Sequence, residues 1–141
     1  MSRRLMWHGM SLFLLGLLTG FAEPHFANIR MGLAAHLEGL MNGTFLLALG
    51  AAWAQVKLPP RMEAIAFWSA LYGTYMNWVV TTLAAIFGTV ALSPITAAGR
   101  PSAGGWQESL VTVGFITVGL AIVASSMLLL WGLRAAKEPH K

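Results

Sequence analysis

His36, Glu38 and Asn42 stand close together in the run Ala35-His36-Leu37-Glu38-Gly39-Leu40-Met41-Asn42-Gly43. A neutral imidazole ligates metals, a carboxylate accepts protons, and an amide both gives and takes hydrogen bonds. The run sits at the mouth of an apolar segment long enough to cross a bilayer, where polar groups are costly and mark ligand, cofactor or substrate sites. A second segment offers partners. Ser69, Gly73, Asn77 and Thr81 recur every four residues and make a small-polar helical seam, with Trp68, Tyr72 and Tyr75 on an adjoining face. Counted at about 1.5 Å per residue from opposite membrane faces, Asn42 and Asn77 reach nearly the same depth. They can form an amide–amide hydrogen bond between helices, worth about 0.6 kcal/mol, or flank a polar substrate. Glu38 shares the helix face of Asn42, while Tyr72 and Tyr75 add aromatic surface and a proton donor.

His36, Gly39, Gly43 and Gly50 fall in one narrow stripe at about 100° per residue. Such a stripe serves close helix packing, as does the Gly16/Gly20 pair on the first segment. It can also present a flat surface to a planar macrocycle beneath His36. Of the other histidines, His8 is placed at the cytoplasmic entrance of the first segment, His25 in the following loop and His140 in the tail. With His36 at the opposite entrance of the second segment, His8 and His36 are separated by most of the membrane and cannot share a metal within one chain. Glu108 reads either as part of an acidic group with Glu23 and Glu38, or as the negative residue that a helix dipole favours in a first turn.

These residues need elements that hold them, and the composition says which. Of 141 residues, 57% are hydrophobic and only 10% are charged, against roughly a quarter charged in a soluble domain. Too few charges remain to coat a water-facing surface, so the solvent is membrane lipid. The net charge of +4 is spread between apolar runs rather than gathered in a patch, which speaks against a nucleic-acid partner. With no cysteine, disulfides, iron–sulfur clusters, zinc-thiolate sites and cysteine nucleophiles are excluded. The pattern predicts a single-domain, all-α, integral membrane four-helix bundle with spans at about 5–22, 37–56, 63–92 and 107–133. Arg3 and Arg4 are followed by an apolar run with no small-residue cleavage motif, so it reads as a span rather than a cleaved leader. Pro59-Pro60 ends one helix and starts the next. Seven of the nine basic residues (Arg3, Arg4, Lys57, Arg61, Arg134, Lys137, Lys141) then share one side with both termini. The positive-inside rule makes that side the cytoplasm.

The run Met31–Leu47, then Trp53, and Gly73 with Tyr75-Met76-Asn77-Trp78 resemble the hydroxylaminobenzene mutase family, with similarity from His8-Gly9 to Leu133-Arg134. The resemblance implies a bacterial inner-membrane enzyme that rearranges aromatic hydroxylamines to ortho-aminophenols. The family is similar to the styrene oxide isomerases, which implies a homotrimer with haem b between subunits and a ferric iron acting as Lewis acid. His36 would then be the axial ligand, Asn42 an active-site amide, and Asn77 the counterpart of an asparagine on the third helix. Gly39 and Gly43 would face the cofactor. The epoxide isomerases carry an acidic residue near that third-helix asparagine, and here helix three has no carboxylate after Glu63. This counts against epoxide isomerisation. A non-catalytic membrane haem protein is the other alternative, and it would need a second axial ligand from His25 or a methionine.

Overall fold

The computed structural model describes residues 1–134; residues 135–141, with Lys137, His140 and Lys141, lie outside them. Four helices make the fold: α1 (Ser2–Ala22), α2 (Ile29–Ala52), α3 (Pro60–Phe87) and α4 (Gly105–Gly132). Single 3-10 turns, Glu23–His25 and Trp53–Gln55, carry the chain around α2. The protein is an all-α helical bundle. Residues Ser2–His25 and α4 are long and apolar enough to cross a membrane.

Local chemistry sets the helix ends. Asn28 is buried and caps α2: its Oδ1 accepts from the Met31 amide at 3.2 Å and its Nδ2 donates to the Thr96 carbonyl at 3.2 Å. The same residue's amide donates to the Ala85 carbonyl at 3.0 Å, tying the start of α2 to the end of α3. Pro60 opens α3, where its missing N–H costs nothing. Gly88 closes α3 with φ 69°, a left-handed cap that glycine adopts without strain. Glu108 gathers the connection to α4. Its carboxylate accepts from the amides of Val90 (3.0 Å), Ala91 (3.0 Å) and Ala103 (3.1 Å) and from the Ser102 hydroxyl (2.8 Å).

The earlier start of α2 corrects the expected span. Helix geometry begins at Ile29, not near residue 37, so His36 lies two turns inside the helix rather than at its mouth. The expected third span also shortens: α3 stops at Phe87, and residues 88–92 belong to the connection.

α1 and α2 pack backbone to backbone. A Cβ added to Gly39 would collide with the Gly16 Cα, and one on Gly43 would stand 2.6 Å from the Phe13 nitrogen. α2 and α3 close the main core, in which Leu46, Leu49 and Trp53 meet Ala66, Phe67 and Ala70, with Leu5 and Leu12 from α1. The Trp53 indole donates to Glu63 at 2.9 Å and the residue is only 6% exposed, so it is a core residue. α4 packs against α3, where Gly73 admits Ile122 and Gly114 admits Val80. Its remaining faces, with Leu110, Val113, Ile116, Leu120, Val123 and Met127, are exposed.

Candidate active site

α2 and α3 run antiparallel, and their register brings the predicted carboxylate and both predicted amides together. The Asn42 Nδ2 donates to Glu38 Oε2 at 3.2 Å and to the Thr74 carbonyl at 3.3 Å. The Asn77 Nδ2 donates to the same Glu38 Oε2. Asn42 and Asn77 therefore meet through a carboxylate, and not by the direct amide–amide bond that equal depth alone implied. All three side chains are half-buried.

His36 is held from α1. Its Nδ1 lies 2.8 Å from the Gly16 carbonyl oxygen, which can only accept, so the ring proton resides on Nδ1. In the neutral tautomer that carries this proton, the Nε2 lone pair is free. Gly20 makes room for this placement, since a Cβ there would lie 2.7 Å from the His36 Nδ1. A backbone acceptor on one imidazole nitrogen is the usual device for orienting the other toward a metal. Sequence reasoning missed this role of the Gly16/Gly20 pair and read the spacing as packing alone. It also missed the Thr74 carbonyl, which no side-chain pattern signals.

Gly39 and Gly43 take a different place from that expected of cofactor-facing residues. Both lie buried against the α1 backbone, so the stripe beneath His36 is a closed helix interface within the chain and offers no flat face to a macrocycle. Tyr72 and Tyr75 do not flank one pocket either. The Tyr72 hydroxyl donates to Thr117 of α4 at 3.0 Å, whereas the Tyr75 hydroxyl donates to the His8 carbonyl of α1 at 3.2 Å, with the His8 Nδ1 also 3.2 Å away. A spacing of three residues leaves the rings on different sides of α3, toward different neighbours. The expected polar seam breaks up for a related reason. Ser69 and Thr81 turn their hydroxyls onto carbonyls of their own helix, while Gly73 faces α4.

His8 and His36 remain far apart, though by less than expected. His36 lies at the level of Gly16 and Gly20, about 12 to 18 Å along α1 from His8 at 1.5 Å per residue. No group of three or more metal-ligating side chains forms among the described residues, so any metal here rests on fewer ligands.

A family model described as styrene oxide isomerase matches residues 1–134. The chain belongs to the styrene oxide isomerase family. As a member of that family it is an isomerase. Two relatives from Ectopseudomonas oleovorans show how far the similarity runs. Hydroxylaminobenzene mutase HabB is 47% identical over 137 residues, covering 96% of this chain and 83% of its own length. Hydroxylaminobenzene mutase HabA is 41% identical over 126 residues, covering 89% of this chain and 93% of its own. No solved structure matches the chain.

Proposed function

We propose that this styrene oxide isomerase family member is a membrane-embedded mutase that converts hydroxylaminobenzene-type substrates to 2-aminophenols, with haem b ligated by His36. The observation that carries the reading is the meeting of Glu38, Asn42 and Asn77 between α2 and α3, on the same helix as an imidazole whose Nε2 is free. The names of the two mutase relatives support the substrate class.

The reaction is redox-neutral. The N–O bond breaks, a C–O bond forms at the ortho carbon, that carbon loses its proton and the nitrogen gains one. No reductant or diffusible cofactor is consumed. One feature of the site suits a haem ligand: an imidazole held by a hydrogen bond on Nδ1, with Nε2 without a hydrogen-bond partner among the described residues. When bound, ferric haem supplies Lewis acidity toward the N–O group. The chain's own residues do the rest. Asn42 and Asn77 orient the hydroxylamine head, and the Glu38 carboxylate receives the ortho-carbon proton. The apolar walls of α2 and α3 keep water from the leaving oxygen. An aromatic substrate enters from the bilayer, in which all four helices lie with both termini cytoplasmic. A homotrimer with haem between subunits completes the proposal.

The test is an absorption spectrum and a product assay on detergent-purified protein made with haem available. A Soret band that His36→Ala abolishes, and conversion of hydroxylaminobenzene to 2-aminophenol without reductant, are expected. Absence of the band removes haem from the mechanism. Turnover of styrene oxide alone, the substrate in the family's name, overturns the substrate assignment.

A further inference from the structure

We infer that Glu38 fixes the hydrogen-bonding polarity of its cluster with Asn42 and Asn77, so that the cluster selects ligands bringing N–H or O–H donors over ligands that only accept. The inference rests on the reading of the Glu38–Asn42–Asn77 cluster as the place where substrate binds, and it adds what that place requires of a substrate.

An asparagine amide has two N–H donors and one carbonyl acceptor. Both donors of Asn42 are spent, on Glu38 Oε2 and on the Thr74 carbonyl. Each of those partners can only accept, so the amide has no freedom to flip: its NH2 faces the cluster and only Oδ1 is left for a ligand. Asn77 spends one donor on the same Glu38 oxygen and keeps one N–H and its Oδ1. Glu38 retains Oε1 without a partner among the described residues. The Thr74 hydroxyl adds no donor, because it donates to the Ala70 carbonyl at 2.8 Å within its own helix, and the residue is fully buried. What remains is three acceptor oxygens and a single donor.

An aromatic hydroxylamine brings an N–H and an O–H, and an ortho-aminophenol brings its amine and hydroxyl hydrogens. Either satisfies such a surface. An epoxide, ketone or ether brings acceptors only and leaves the pocket oxygens unpaired. A site built to hydrogen-bond a polar group rejects analogues lacking that group far more strongly than an apolar pocket rejects an extra or missing methylene. Glu38 is thus a positioning and specificity residue as well as a carboxylate: it holds both amides by their donors and leaves their oxygens for a ligand.

The experiment measures binding of two inert probes of similar size, aniline as donor and acetophenone as acceptor, to the full-length protein in detergent. Dissociation constants come from the concentration dependence of the thermal shift. Wild type is expected to bind aniline at least tenfold tighter. Glu38→Leu frees the donors of both amides and should bring the ratio to near one or invert it, by tightening acetophenone. Glu38→Gln keeps one acceptor and the side-chain volume, and should give a smaller fall; it also serves if the leucine variant does not fold. A wild-type ratio near one, or equal weakening of both probes in the variants, overturns the inference, the latter because it marks a merely structural carboxylate. Donor preference without conversion of hydroxylaminobenzene sinks the proposed reaction while leaving the polarity standing. Conversion without donor preference does the reverse.

Discussion

At the residue scale, two kinds of missing side chain separate packing from placement. Gly20 faces the rim of the His36 ring, which can move, so Gly20→Ala should cost little stability and instead push the ring off the Gly16 carbonyl. We expect at least a tenfold loss of product formation with a melting temperature close to wild type, measured on the same preparation. Asn42→Leu removes one of the two hydrogen bonds to Glu38 Oε2 and the side-chain hydrogen bond to the Thr74 carbonyl. It should abolish turnover and also lower stability by about 1–3 kcal/mol, the usual net worth of such bonds when one goes to a charged group. The cluster members were legible in the sequence because Glu38 and Asn42 share a helix face and Asn77 lies at a matching depth. Their exact wiring was not. Equal depth puts two amides near one another but does not say that a carboxylate stands between them, and a backbone carbonyl such as that of Thr74 has no letter in the sequence. The tyrosines failed for a simple geometric reason: residues three apart diverge by about 60° on a helix, enough to send Tyr72 to α4 and Tyr75 to α1.

At the element scale, a stripe of small residues has one appearance and two uses, and only the neighbour decides. Gly39 meets backbone, which cannot yield, so Gly39→Ala must part α1 from α2 and should destabilise the bundle by about 1–3 kcal/mol. Gly119 on α4 meets nothing within 4 Å, and Gly119→Ala should be neutral or stabilise by up to about 1 kcal/mol through helix propensity. Unfolding in detergent by circular dichroism compares the pair, and equal effects would mean that the α1–α2 contact is not as close as described. The element boundary that sequence reasoning misplaced, the start of α2, carried its own signal. Asn28 is a strong capping residue, but Arg30 two residues later lowers the local hydropathy, so the apolar span reads further in. Capping chemistry outranks hydropathy in deciding where a helix begins; hydropathy decides only how much of it lipid can cover.

At the scale of the whole molecule, the long connection between α3 and α4 is held by one side chain. Glu108→Ala leaves three amides and a hydroxyl of that connection without their acceptor. The variant should become cleavable by added protease within residues 88–104 while wild type resists. The absence of cysteine lets orientation be measured directly. A cysteine introduced at Ser102 should react with an impermeant reagent added outside intact cells, and one at Lys57 only after the membrane is opened; the opposite pattern would invert the proposed topology. Charge bias between loops is the sequence signal behind that proposed orientation, whereas no pattern in the chain encodes how many copies assemble. One feature bears on biosynthesis. Everything that seats the His36 ring, the Gly16 carbonyl, the gap at Gly20 and the backbone contact at Gly39, lies in the first two helices to leave the ribosome. The His36 ring can therefore be seated while α3, with Asn77 and Thr74, is still untranslated. Its placement precedes the Glu38–Asn42–Asn77 cluster, which only the arrival of α3 completes.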